Sequence, residues 1–210
     1  LPILVGGTGL FIKAVIDGIP TAFVPRNLKL RKNLEEKEAS ELFEILAQLD
    51  PIKAGSMNIS DKLNPRRLIR GIEIASWKLE GKTPRLFKKP KYQLLEIGLQ
   101  ASLENLSKKI EKRVDRRIGD GVEAEIKKLI SSGISWDSQS MTSLGYRQWR
   151  NYFEGRVAKK EVIDDWKKEE LRYAKRQLTW FKKDARINWF DSQDENLYKS
   201  VEELVKKWYP

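Results

Sequence analysis

Cysteine and histidine are both absent from the 210 residues. Without cysteine there is no disulfide, no thiolate nucleophile and no cysteine-ligated zinc. Without histidine the usual general base and the commonest metal ligand are gone. Any catalysis falls to carboxylates, hydroxyls, lysine, arginine, backbone amides or a hard cation such as magnesium. Long apolar runs are missing as well. No segment approaches the roughly 18 residues that a membrane span needs, so a lipid bilayer is not an expected partner. No signal peptide is visible, and the cytoplasm is the expected compartment. The chain lacks an initiator Met and opens inside an apolar run, and it is expected to be a fragment without its N-terminal part.

What the chain does have is positive charge. Lys and Arg number 41 against 30 Asp and Glu, a net charge of +11. The excess is spread over many segments, which points to a basic surface rather than a disordered arm. A polyanion is the natural partner. The length allows one domain, or one domain with a small insertion.

Residues 1–5 read as a buried strand, residues 6–9 (GGTG) as a tight turn, and residues 10–17 as a helix that Gly18 closes. Strand, glycine turn and helix in that order suit an α/β fold, in which ligands sit at the carboxyl ends of strands. Residues 20–25 read as a breaker-rich crossover and residues 27–49 as one long amphipathic helix. Residues 52–63 look short and irregular. Asn64 and Pro65 open a helix as cap and first residue, and Gly81 stops it. A Pro- and Lys-containing linker over residues 83–91 precedes a second strand within 92–99. Helices are expected over 103–118 and 121–131, then a loop, a short helix, and a long basic helix over 159–185. A strand over 187–190 and a helix over 194–208 complete the pattern.

Four stretches could carry chemistry. Residues 171–186, LRYAKRQLTWFKKDAR, hold six basic residues and one acid. Leu171, Ala174, Leu178, Phe181 and Ala185 form one apolar stripe at helical spacing, and Tyr173, Gln177 and Trp180 share another face. Cations beside stacking rings suit a folded single-stranded nucleic acid; an amphipathic helix whose aromatics simply pack fits the pattern equally well. In residues 6–9 the backbone and the Thr8 hydroxyl stand where phosphate oxygens bind well, although such turns are more often structural. No Lys and Ser/Thr follow the last glycine, so this is not a Walker A loop. Arg66, Arg67 and Arg70 occupy the start of a helix, where positive charge opposes the dipole. They await either an external anion or local pairing with Asp61 or Glu73. In residues 141–149, MTSLGYRQW, a small-residue loop carries the Tyr146 ring and the Arg147 cation, and its role stays open.

Together LVGGTGLFIKAVIDG, NPRRLIRGIEI, SLGYRQ and AKRQLTWFKK, in this order, resemble the tRNA dimethylallyltransferases. The resemblance covers essentially the whole chain and leaves roughly the first third of the family's length upstream of Leu1. It implies an α/β fold with a P-loop-NTPase-like parallel sheet core whose N-terminal strands are missing, plus a helical insertion domain, so that this stretch is mostly helical. It divides the chain into core (1–23), insertion domain (24–62) and the rest of the core with the tRNA-binding helices (63–210). The implied partners are dimethylallyl diphosphate, with magnesium, and the tRNA anticodon stem-loop, met by a monomer.

In that family the adenosine 3′ to the anticodon, position 37, is flipped so that its N6 attacks the allylic carbon. The resemblance implies that Thr8 contacts the reacting region, that Gly7 and Thr8 lie at the diphosphate, and that Arg31 lies against tRNA. It further implies tRNA contacts along Arg66, Arg67, Leu68, Ile69 and Arg70, and along Thr142, Ser143, Leu144, Gly145, Tyr146 and Arg147. A third stretch of contacts runs through Lys175, Arg176, Gln177, Leu178, Thr179, Trp180, Phe181 and Lys182. A flipped base needs stacking and edge contacts, and Tyr146, Gln148, Gln177 and Trp180 are suitable types. Phe11 stands where the family has Tyr, Asn64 where it has Asp, and Lys182 where it has Arg. The family's phosphate loop and catalytic aspartate would lie upstream, so the stretch alone is expected to be inactive. A tRNA-binding remnant without chemistry, or a P-loop small-molecule kinase relative, are the competing readings.

Overall fold

The computed structural model describes residues 1–82 and 92–209, and the linker expected over 83–91 lies outside them. The chain forms two units, Leu10–Lys91 and a second made of Leu1–Gly9 with Tyr92–Pro210. The described residues are mostly helical, with one small parallel sheet.

The first helix, α1 (Gly9–Ile16), begins at the glycine turn, and a 3-10 turn spans Pro20–Phe23. Helices α2 (Leu28–Leu34), α3 (Ala39–Leu49), α4 (Pro51–Gly55), α5 (Ile59–Lys62) and α6 (Pro65–Leu79) follow. One helix expected over 27–49 is thus two. Its apolar positions keep helical phase across the break, so periodicity cannot reveal it. Hydrogen bonding does: the Lys37 amide closes back on the Leu34 carbonyl, and the Glu38 amide donates to Glu41 Oε2 at 3.1 Å, a side chain reaching back to start a new helix. The stretch expected to be irregular, 52–63, instead holds the end of α4 and all of α5. Asp50 and Asn58 cap these helices by accepting from the Lys53 and Asp61 amides. As expected, Asn64 caps α6 by accepting from the Arg67 amide. Leu34, Leu42, Leu46, Leu68, Ile69 and Ile72 form the core of this unit.

One carboxylate ties the unit's polar parts together. Glu73, 2% exposed, accepts from Arg31 Nε and Nη2 at 2.7 and 2.8 Å, from Arg70 Nη1 at 3.0 Å and from the Asn27 amide at 3.0 Å. Arg70 also donates to the Thr21 and Val24 carbonyls, both at 2.8 Å. The loop before α2, α2 itself and α6 are joined through this group. Burial pushes the Glu73 carboxyl up, but the donors from Arg31, Asn27 and Arg70 outweigh it and hold the pKa at about 2.

In the second unit, β1 (Glu96–Gln100) leads to α7 (Leu103–Gly119) and α8 (Val122–Ser131). A 3-10 turn at Arg147–Trp149 runs into α9 (Arg150–Phe153), then come α10 (Lys159–Phe181), β2 (Ile187–Asp191) and α11 (Leu197–Trp208). Strands β1 and β2 pair in parallel, Glu96 opposite Ile187 through Gln100 opposite Asp191. Ile110, Val114, Ile126, Met141, Trp149, Val162 and Trp166 build the core. Residues 1–5 are not the strand expected of them. Ile3 and Val5 are 81% and 88% exposed, and among the described residues the only sheet is β1 with β2. An extended run without a hydrogen-bonded neighbour gains nothing from strand geometry.

Because the folded pKa of Glu73 is depressed, the unfolded chain binds the extra proton between roughly pH 4.5 and 2. The stability from Glu73 is therefore complete above pH 4.5 and lost as pH falls through about 2, on the order of 3 kcal/mol in all. Urea unfolding of the wild type and Glu73→Gln between pH 6 and 2 should show a gap that is widest near neutrality and closes on acidification. A constant gap would remove the carboxylate from this role.

Candidate functional site

Helix α10 confines its acids to its first half, where they alternate with lysines, and the charged residues of its second half are all cations. Its first half carries Glu161, Asp164, Asp165, Glu169 and Glu170, and after Glu170 no acid follows until Asp184. The anchoring face is Val162, Trp166 and Glu170, all buried, so the helix seats in the core one turn and more before the basic segment. Glu170 accepts from Trp166 Nε1 at 3.1 Å and pairs with Arg113 of α7. Leu171 and Ala174 pack against the core, whereas Leu178 and Phe181 are half-buried and Ala185, past the end of α10, is exposed. The expected apolar stripe thus fades along the helix.

Beyond that anchor the cations stand open. Lys175, Arg176, Lys182 and Lys183 are exposed, and no ion pair to them is found among the described residues. Arg172, by contrast, is held by Glu169. The Arg176 guanidinium lies 5.8 Å from the Tyr173 ring centre. Tyr173 and Trp180 are 38% and 46% exposed, enough to offer a ring face. The Thr179 hydroxyl bonds back to the Lys175 carbonyl at 2.9 Å.

The glycine turn sits against this segment. Gln177 Nε2 donates to the Gly7 carbonyl at 2.7 Å. A Cβ on Gly7 would come within 2.5 Å of that nitrogen, and one on Gly9 within 2.2 Å of the Trp180 ring. A side chain at Gly9 would run into the Trp180 ring, and one at Gly7 would push the Gln177 amide aside. Thr8, between them, is exposed, and its hydroxyl makes no hydrogen bond among the described residues. Two motifs far apart in sequence share one place.

The 141–149 loop belongs to the same unit. Gly145 has φ +91°, and a Cβ there would lie 2.5 Å from the Trp166 ring. Its amide donates to Gln148 Oε1 at 2.9 Å; Gln148 is buried and is used inside the protein, not offered to a base. Tyr146 donates to Glu125 Oε1 at 2.8 Å, and that bond, with burial, raises its pKa above the usual phenol value. Arg147 pairs with Glu169 at 2.8 Å. Arg172 first, and then Arg147, lower the pKa of Glu169. Thr142 and Ser143 are exposed and Leu144 is half-buried.

In the other unit the two readings of the α6 arginines divide. Arg67 pairs with Asp61, and Arg70 and Arg31 with Glu73. Leu68 is wholly buried in the core, and Ile69 packs there too while touching the cleft that Arg66 lines. Arg66 is exposed and no partner for it is found among the described residues. It lines a cleft of about 720 Å³ with Arg26, Arg31, Arg70, Val24 and Ile69. Arg26 is a participant that sequence reasoning missed, since a lone arginine after Pro25 has no pattern to mark it. Trp166 and Glu170 were also missed. Their signal was available: with Val162 they recur every fourth residue upstream of the basic segment.

Gly145→Ala combines a left-handed backbone with a clash against Trp166, and should cost roughly 2–4 kcal/mol. Urea denaturation measures it, and a loss below about 0.5 kcal/mol would show that the loop moves without penalty.

Comparison with known proteins adds an independent line. A family profile described as IPP transferase matches residues 1–184. The tRNA dimethylallyltransferase of Carboxydothermus hydrogenoformans is 38% identical over 98% of this chain and 67% of its own length. That of Anoxybacillus flavithermus is also 38% identical, over 98% of this chain and 66% of its own. The crystal structure of the full-length tRNA isopentenylpyrophosphate transferase of Bacillus halodurans matches with a TM-score of 0.64 at 34% identity. That match covers 99% of this chain and 66% of the solved one. A eukaryotic dimethylallyltransferase acting on tRNA has the same fold, with a TM-score of 0.70 at 22% identity, over 97% of this chain and 55% of its own. The chain spans about two thirds of the length of the curated relatives it matches. With the profile matching residues 1–184 and relatives 38% identical over nearly the whole chain, the chain belongs to the IPP transferase family.

Proposed function

We propose that this chain is part of a tRNA dimethylallyltransferase, an enzyme that moves the dimethylallyl group of dimethylallyl diphosphate to N6 of adenosine 37, 3′ to the anticodon. The observation that carries this reading is the meeting of the Thr8 turn with the open cationic end of α10. Phosphates of a folded RNA loop have Lys175, Arg176, Lys182 and Lys183 to neutralise, and unstacked bases have Tyr173 and Trp180 to stack on. The exposed Thr8 hydroxyl stands beside them in the same unit, a setting suited to diphosphate oxygens.

In the reaction the N6 lone pair forms a bond to the allylic carbon as its bond to the diphosphate oxygen breaks. The N6 proton goes to a base, and diphosphate leaves with the electron pair. Thr8 would donate to the departing oxygens, and the stacking rings would hold the flipped base in line. Arg147 and Tyr146 would adjoin the RNA after exchanging their partners Glu169 and Glu125 for it. In the other unit Arg66, with Arg26 beside it, is the arginine free to meet phosphate, while Arg31 and Arg70 are held by Glu73. Among the described residues no three Asp or Glu side chains converge on a point that could hold a metal ion. Magnesium would accompany the diphosphate and supply charge neutralisation for the departing group. The protein would act as a monomer, with its small sheet belonging to a P-loop-like parallel core. No helix among the described residues is long and apolar enough to cross a membrane.

Binding of an anticodon stem-loop RNA, followed against salt, tests the RNA half of this reading. Lys175→Ala and Arg176→Ala should each flatten the plot of log affinity against log salt by about one unit. Tyr146→Ala should weaken binding with little change in slope. An unchanged slope in both cation variants would remove α10 from the phosphate footprint. Transfer of radiolabelled dimethylallyl to tRNA by the full-length protein that contains this chain tests the chemistry directly, with incorporation at adenosine 37 the expected product. Transfer to another nucleoside would overturn the assignment.

A further inference from the structure

We propose that Gln177 is a positioning residue that holds the Thr8 turn on the RNA-facing helix, rather than a contact to RNA. The inference rests on the reading of Thr8 and α10 given above and adds a specific link between them. Gln177 spends its amide N–H on the Gly7 carbonyl at 2.7 Å. One helical turn further on, Trp180 covers Gly9 so closely that any side chain there would meet its ring. Residues three apart share a helix face, so the two contacts stand side by side and grip the turn on either side of Thr8. Lys175 and Arg176 precede Gln177 directly and leave their charges in solvent. Gln177 is half-buried under the turn. A base edge that competed for this N–H would cost the turn its only side-chain hydrogen bond from α10 among the described residues, so the second N–H and Oε1 are the amide groups left over once the turn is held.

The consequence is mechanical. RNA that displaces or tightens the end of α10 acts on the turn through Gln177 and Trp180. The hydroxyl meant for the diphosphate is thereby placed by the element that holds the acceptor. A donor is what the position requires: Gln177→Met keeps the volume and loses the N–H, whereas Gln177→Lys keeps an N–H donor.

Backbone order parameters from 15N relaxation at Gly7 and Thr8, with stem-loop RNA titrations on the same samples, decide the matter. In Gln177→Met the order parameters should fall from about 0.85 to below about 0.6, while RNA affinity and its salt slope stay within twofold of wild type. Gln177→Lys should restore the order, and Lys175→Ala should show the reverse pattern, weaker RNA binding with an ordered turn. Gly7→Ala, which crowds the Gln177 amide from the other side, should loosen the turn as Met does. Unchanged order in both Gln177→Met and Gly7→Ala overturns the proposal, as does a tenfold loss of RNA affinity in Gln177→Met with the turn still ordered. If the wild-type chain bound no RNA, the functional reading would fail, and the order parameters would still decide whether Gln177 holds the turn.

Discussion

The anchoring of α10 by Trp166 and Glu170 is the constraint on which the second unit depends. The indole is fully buried, its N–H is taken by Glu170, and Glu170 is neutralised by Arg113. The Arg117 guanidinium lies over the same indole, 4.8 Å from its centre. Because this anchor lies in the acid-rich half, the half that follows is free to carry uncompensated positive charge. Those cations also stand near the helix C-terminus, where the dipole favours them. Gly145 lies against the same indole, so the loop with Tyr146 and Arg147 takes its position from the anchor too. One buried tryptophan thus sets both the basic end of the helix and the loop beside it.

In the other unit a carboxylate does the comparable work. Four donors converge on Glu73, and with so many the cost of burying an ion is offset by hydrogen bonds rather than by a single partner. The cluster also fixes which arginines are spoken for. Arg31 and Arg70 line the cleft but face it with charge already shared, and Arg26 and Arg66 remain open to solvent at its rim. A reading of arginines by number alone would count four equal anion ligands here; their partners make them two pairs of different kind.

Much of this was legible in the sequence. The α6 boundaries followed from Asn64, Pro65 and Gly81, and α7, α8 and both strands fell close to where periodicity placed them. The four family motifs were visible in order, and so was the third face of α10 with Gln177 and Trp180. Other features were hidden for physical reasons. The break between α2 and α3 keeps the phase of the apolar stripe, so only the Lys37–Leu34 and Glu38–Glu41 hydrogen bonds mark it. The run at residues 1–5 has the composition of a strand, but composition cannot supply a neighbouring strand to pair with. The pairing of Arg67 with Asp61 and of Arg70 with Glu73 was a stated alternative that sequence could not choose, since it depends on side-chain reach. That Gly7 and Gln177 touch across 170 positions had no local signal at all.

The parallel pairing of β1 with β2 has a consequence for how the chain is made. Glu96 finds Ile187 only after α7, α8, α9 and α10 have been synthesised. Contacts so distant along the chain are slow to close, because the entropy of the long loop is lost before the ladder forms. Until then β1 presents bare backbone donors and acceptors to other chains. The helices must therefore assemble first and bring the strands together, and the window between ribosome and finished sheet is when this protein is most open to mispairing.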